Sequence, residues 1–345
     1  MRFGVPYQGS KNYIAGWVID NLPEDEILVD LFAGGCAVTH AAMLSGKWNK
    51  VIANDIGDAP ELFRDAIDGK YADEKRWISR EDFQDLKEID PYVSLCWSFG
   101  NNRRTYLYAQ EIEPWKKALH YARVFGDCSL LREMGIDSDG SSDDIRKYQK
   151  QYKEKYIYWW LSKQKHISLA SNKLITNDKL NIKENKDKRG QYFISSLKKS
   201  ELKSIEKLQS TPRLEYVQNL SRVKMLQSLQ SLQKYKNNLT ITRKSYSDVA
   251  IPDKAVVYAD PPYKGTDITC YKCDFDYAAF EKWLNEVPFM VIVSEYNAPA
   301  GCVEIASIKK RSLLAQGNKG GTNTEKLFVQ ERFYNEYLQK MGRLF

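Results

Sequence analysis

The chain has 345 residues, enough for two domains or for one domain carrying a large insertion, and its apolar (43%) and charged (28%) fractions are ordinary for a globular protein. No run of about 18 apolar residues exists, so no membrane partner is expected, and MRFGVPYQGSKNY at the start lacks the apolar stretch of a secretory leader. The formal net charge is +7. Six Cys make no disulfide framework, and three scattered His (His40, His120, His166) argue against a His-built metal or Ser-His-Asp site, so a cytoplasmic protein with reduced thiols and no resident metal is expected.

In chain order, Ser10 is placed to cap a helix from Lys11 to Ile19. Ile27 to Phe32 reads as a buried strand, Ala33-Gly34-Gly35 as a tight turn, and Cys36 to Leu44 as a helix. Val51 to Ala53 is a second strand ending at Asn54-Asp55. Strand, glycine turn, helix and strand within about 30 residues form the βαβ unit of a parallel sheet. Residues 60 to 240 read as mainly helical, with polar breaks at 137–142 and 172–189, the latter a loop. Arg222 to Tyr235, with its LQSLQSLQ repeat, reads as one amphipathic helix. Leu239 to Thr242, Val256 to Ala259, Phe289 to Ser294, Val303 to Ala306 and Lys326 to Val329 fit strands. The fold class expected is α/β, one sheet domain interrupted by a helical insertion.

Charge marks that insertion. From Ile145 to Ser245 there are 24 Lys and Arg against 7 Asp and Glu, a net +17, which leaves −10 for the rest of the chain. A basic block inside an acidic protein is the footprint of a polyanion partner, although lysine-rich helices are also ordinary solvated surface. Tyr148, Tyr152, Tyr156, Tyr158, Trp159, Trp160, Tyr192 and Phe193 interleave with the lysines. Aromatic faces stack on bases, but Tyr148, Tyr152 and Tyr156 also follow an i, i+4 stripe typical of a helix core. Within or near the block, Arg103, Arg104, Lys163, Lys165, Lys198 and Lys199 are candidates for DNA contact.

The sharpest chemical signal is Asp260-Pro261-Pro262-Tyr263, directly after the apolar strand ending at Ala259. Ligands of open parallel sheets bind at the C-terminal ends of strands. Two prolines stiffen the loop and offer carbonyls without amide donors. Such a loop suits a planar amine: Asp260 and the Pro261 carbonyl accept its two hydrogens while Tyr263 stacks on the ring. The second signal is Asp30-Leu31-Phe32-Ala33-Gly34-Gly35, where a glycine turn lets a cofactor approach the backbone; its spacing is not that of a dinucleotide site. The third is Asp55, about 20 positions later, placed for ribose hydroxyls and equally suited to capping a helix. Cys270-x-x-Cys273 is a weak zinc pattern without a second ligand pair.

Pro6-Tyr7-Gln8-Gly9-Ser10-Lys11, Asp-Leu-Phe-Ala-Gly-Gly at 30–35, Asn54-Asp55 and Asp-Pro-Pro-Tyr at 260–263 occur in that order, and the set resembles the D12 class of adenine-N6 DNA methyltransferases, the Dam-like group that uses S-adenosylmethionine. Weaker matches lie at 94–102, 245–248 and 323–329. The resemblance spans nearly the whole chain. It implies a Rossmann-like S-adenosylmethionine-dependent methyltransferase sheet, with the catalytic core at 1–60 and 240–345 and a helical insertion at 61–239 that includes the target-recognition domain. It implies Tyr7 and Lys11 at the methionine end of the cofactor, Lys11 pairing its carboxylate. Asp30, Phe32, Gly34 and Gly35 would line the pocket, Asp55 would hold the ribose, and Asp260 would sit where cofactor and target meet. The partner implied is duplex DNA with a flipped adenine, and a cognate restriction endonuclease in the cell. An RNA adenine-N6 enzyme would use the same chemistry, and a DNA-binding protein that kept the fold without catalysis is a further alternative.

Overall fold

The structure is a computed structural model that describes residues 2–163, 199–263, 275–311 and 322–343. Seven strands form one sheet: β1 (Ile27–Asp30), β2 (Lys50–Asn54), β3 (Leu239–Thr242), β4 (Ala255–Ala259), β5 (Val291–Glu295), β6 (Cys302–Arg311) and β7 (Thr322–Gln330), in the order β3-β2-β1-β4-β5-β7-β6. The first five run parallel, and β7 and β6 join antiparallel at one edge. Parallel strands covered on both faces read as unbroken apolar runs. Accordingly Leu28 and Val29 of β1, Val256 to Ala259 of β4 and Val291 to Val293 of β5 are fully buried. The fold is the α/β, Rossmann-like sheet expected from the motifs.

The chain packs as two compact units. One comprises Met1–Glu74, Arg80–Thr105 and Arg222–Phe345; the other comprises Lys75–Ser79 and Tyr106–Ser221. The first holds all seven strands with helices α1 (Ala15–Asp20), α2 (Ala37–Ser45) and α3 (Ala59–Ile67) among its helices. The second is helical, around a core that includes Trp115, Leu119, Leu131, Tyr156, Leu161 and Ile205. Tyr152 and Tyr156 of the i, i+4 stripe belong to that core, and their hydroxyls donate to the Asp137 carbonyl (2.9 Å) and the Glu111 carbonyl (2.6 Å). No described helix is long and apolar enough to cross a membrane.

Three elements differ from the sequence expectation. Helix α1 starts at Ala15 rather than Lys11, and Ile14 precedes it without a side-chain cap. The Ser10 hydroxyl instead accepts from the Asn12 amide (3.3 Å), which keeps 10–14 in turns and frees Lys11 to point inward. Strand β1 stops at Asp30, so Leu31 and Phe32 already belong to the turn. The segment 222–235 is not one α-helix: an α-helix at Gln218–Ser228 passes into a 3-10 helix at Leu229–Asn238. Side chains three apart eclipse in 3-10 geometry, and Leu226, Leu229 and Leu232 are all fully buried. The 172–189 stretch lies outside the described residues.

Candidate active site

Sheet register brings the site together. Asp30, the last residue of β1, stands level with Ala53 of β2 and Tyr258 of β4. Asp55 and Asp260 follow within two positions of those partners, so three carboxylates emerge at one edge. Strand order reverses between β1 and β4, and such a switch point opens a crevice for a ligand.

The turn after β1 is shaped around Tyr7. Gly34 has φ +47, and a Cβ there would stand 2.9 Å from the Tyr7 ring; at Gly35 it would stand 2.5 Å from the Tyr7 Cβ. The two glycines thus make room for Tyr7 as well as lining the crevice. Gly4 donates to His40 Nδ1 (3.0 Å) and Val5 donates to the Gly35 carbonyl (2.8 Å), lacing the N-terminal segment onto the turn. Burial holds the His40 pKa down at about 4, in keeping with its acceptor role.

Each carboxylate has a distinct tether. Helix α2 begins after Cys36, which lies in the left-handed region (φ 58) and offers no cap. Asp30 Oδ2 substitutes, accepting from the Thr39 amide (3.1 Å) and hydroxyl (2.6 Å) at the helix N-terminus. Burial nevertheless pushes the Asp30 pKa up to about 7, with Asp260 and Asp55 adding to the rise. Asp55 accepts from the amides of Gly34 (2.8 Å) and Gly57 (2.7 Å), yet burial prevails and its pKa is also raised. Asp260 Oδ1 is buried against Lys11 Nζ at 2.8 Å.

Lys11 is 6% exposed and bridges two acids, since its Nζ also lies 3.7 Å from Glu325 Oε2. Burial pulls its ammonium pKa down, but Asp260 and Glu325 outweigh that and the net change is upward. For Asp260, burial pushes upward more than Lys11 pulls downward, and Glu325 adds to the rise. Tyr263 sits beneath the cluster. Its hydroxyl donates to Glu325 Oε2 (2.6 Å) and lies 2.9 Å from Ser294 Oγ, its ring centroid is 4.4 Å from Lys11 Nζ, and its carbonyl accepts from the Tyr277 hydroxyl (2.9 Å).

A cavity of about 290 Å³ opens at this edge. Of the residues singled out in the sequence, Tyr7, Lys11, Asp30, Phe32, Gly34, Gly35, Asp55, Asp260 and Pro262 line it; Pro261 and Tyr263 are buried beside it. Phe32 packs against Tyr246 and Phe275 (ring centroids 5.4 and 5.8 Å), and all three line the cavity, giving it an apolar aromatic wall. A cavity lined by both an apolar aromatic wall and three carboxyl groups can hold a flat heterocycle that carries polar and cationic ends.

The candidate DNA contacts are dispersed. Arg103 donates to Asp58 Oδ1 (2.5 Å), with both side chains largely buried, so its guanidinium is committed within the protein; Arg104 is exposed. Lys163 pairs with Glu133 at 2.9 Å, Lys199 opens the helix Lys199–Ser210, and Lys165 and Lys198 lie outside the described residues, as do Cys270 and Cys273. Sequence reasoning missed Glu325 and Ser294. Glu325 falls in the weak match at 323–329, which gave it no role, and it is buried with Leu327, Phe328 and Val329 on β7.

The profile of the D12 class of N6 adenine-specific DNA methyltransferases matches residues 7–299. The chain belongs to this family. It is an enzyme, a DNA methyltransferase acting on adenine N6, and its match begins at Tyr7 and takes in the cavity's lining from both halves of the sheet unit. No curated protein matches the chain. As a member of this family the enzyme would act on DNA.

Proposed function

We propose that the enzyme binds S-adenosylmethionine in the cavity at the β1/β4 switch point and methylates a flipped adenine held by Asp260-Pro261-Pro262-Tyr263. The observation that carries this reading is the cavity itself, whose lining Asp30, Asp55 and Asp260 share with Phe32, Tyr246 and Phe275. Asp55 is suited to the ribose diol, and Asp30 and Tyr7 to the methionine end. Lys11, held between Asp260 and Glu325, also lines the cavity and is suited with Tyr7 to the methionine end, where its ammonium would pair the cofactor's carboxylate. The bound cofactor supplies an electrophilic methyl on a sulfonium, and its sulfur leaves with the bond pair.

The N6 lone pair of adenine is delocalised into the ring and is a weak nucleophile. Accepting both N6 hydrogens at Asp260 and the Pro261 carbonyl favours a pyramidal nitrogen that attacks the methyl carbon. As the N–C bond forms, N6 carries one proton too many, and the Asp260 carboxylate takes it and passes it to water. Flipping costs a few kcal/mol of unstacking, and Tyr263, its hydroxyl anchored in the core, offers a ring for stacking that offsets part of it. The helical insertion at 61–239, which carries most of the basic block, includes the target-recognition domain in this reading, and a cognate endonuclease would share its DNA word.

Asp260→Ala is expected to lower the single-turnover methylation rate about 10²–10³-fold, measured on duplex DNA with methyladenine mapped by sequencing. Near-normal turnover in a folded variant sinks the mechanism. Asp55→Ala and Lys11→Ala are expected to weaken S-adenosylhomocysteine binding in calorimetry more than they weaken DNA binding. Unchanged affinity in both contradicts the cofactor placement.

A further inference from the structure

Glu325 lies on β7, beyond residue 299 where the family match ends, and is 2% exposed. A buried carboxylate is costly unless its surroundings hold it. Here the one ammonium of Lys11 serves two carboxyl groups, Asp260 Oδ1 at 2.8 Å and Glu325 Oε2 at 3.7 Å. Structure alone does not demand that: an amide at 325 would still accept from the Tyr263 hydroxyl.

We propose that Glu325 is a positioning residue for methyl transfer, its carboxylate drawing on the Lys11 ammonium so that Lys11 does not quench Asp260 as the acceptor for the target amine. The proposal rests on the assignment of Asp260 to that amine. An Asp260 facing Lys11 alone would be a weak acceptor, its negative charge spent on an ammonium 2.8 Å away. Sharing the ammonium between two carboxylates returns charge to Asp260, both to polarise the N6 hydrogens and to take the surplus proton after the N–C bond forms. Among the described residues, the groups facing this cluster include Asp30 from β1, Tyr258 from β4, Tyr263 from the loop after it, Ser294 from β5, and Tyr296 just beyond. Of these Asp30 is a further carboxyl group, tied to Thr39. Tyr263 links the two acids mechanically, since its hydroxyl rests on Glu325 while its backbone continues from Asp260.

Glu325→Gln tests this, because it removes the charge and keeps an acceptor for Tyr263. Glu325 is not part of the cavity wall, so affinity for S-adenosylhomocysteine should stay within about threefold, less than the tenfold that one pKa unit of interaction represents. The single-turnover rate is expected to fall about tenfold or more, and the acidic limb of its pH profile to move down by about one pH unit, since losing a neighbouring negative charge lowers the Asp260 pKa. Thermal melts of the ligand-free protein between pH 5 and 9 should be flatter than wild type, because a smaller upward shift at Asp260 leaves less stability to lose as pH rises. Glu325→Asp, whose shorter arm withdraws the charge from Lys11, should move all three readouts in the same direction by less; it serves also if the Gln variant does not fold. A limb, rate and melting profile matching wild type overturn the proposal. Loss of S-adenosylhomocysteine binding by the wild type would instead overturn the cofactor assignment on which it rests.

Discussion

Asp30 has two duties that pull its proton in opposite directions. As a substitute cap for α2 it accepts two hydrogen bonds from Thr39, which favours the carboxylate; burial favours the acid and prevails, with a pKa near 7. A carboxyl whose pKa is higher folded than unfolded binds its proton more tightly in the folded state. Its stabilising contribution is therefore full below the ordinary carboxylate range and is lost as pH rises from about 4 through 7. Asp30→Asn removes that dependence, and urea melts of the ligand-free protein should show the variant gaining on wild type by about 1–4 kcal/mol between pH 4 and pH 8. Parallel curves for the two proteins would exclude the shift. Asp30, Asp55 and Asp260 were legible in sequence because each sits in a short motif at a strand end, where position along the chain already dictates position in the crevice; Tyr7 was legible through the motif at 6–11. Glu325 and Ser294 were not, because they reach Tyr263 only through sheet pairing, across 62 and 31 residues.

Among the elements, the LQSLQSLQ segment shows how a repeat selects its own helix. A three-residue spacing of leucines drifts around an α-helix but stacks in a 3-10 helix, and the buried Leu226, Leu229 and Leu232 are aligned on the core where the helix tightens. Leu229→Ala should cost about 2–5 kcal/mol in denaturant unfolding, whereas Ser231→Ala on the exposed side should stay within about 0.5 kcal/mol. Equal effects would mean the segment does not hold this register. Helix periodicity found the segment but not its pitch, since both pitches satisfy a short i, i+3 pattern. Strands were legible where apolar runs are continuous, as in β4 and β5. The start of α1 was not, because the Ser10 hydroxyl that reads as a cap is spent on Asn12, in a turn that aims Lys11 at Asp260.

At the scale of the whole molecule, charge separates where the motifs cannot. Acidic groups gather at the cavity, while 145–245 carries the net +17. If about six phosphates are neutralised on binding, log affinity for duplex DNA should fall with log salt at a slope near −5. Replacing Lys163, Lys165, Lys198 and Lys199 together by Glu should flatten that slope in fluorescence-anisotropy titrations and leave cofactor affinity unchanged; equal slopes would send the DNA track elsewhere. The insertion that supplies this charge also divides the sheet along the chain. Ile27 of β1 pairs on one side with Lys50 and on the other with Ala255, 228 positions later. At about 5–20 residues per second of synthesis, the second edge of β1 waits roughly 10–50 s for its partner to leave the ribosome. Throughout that interval the nascent chain presents Leu28 and Val29 beside unpaired amides and carbonyls, a template for pairing with other chains. The crevice between β1 and β4 thus closes only after the whole insertion has been made, and its safe arrival depends on whatever shields an open strand during translation.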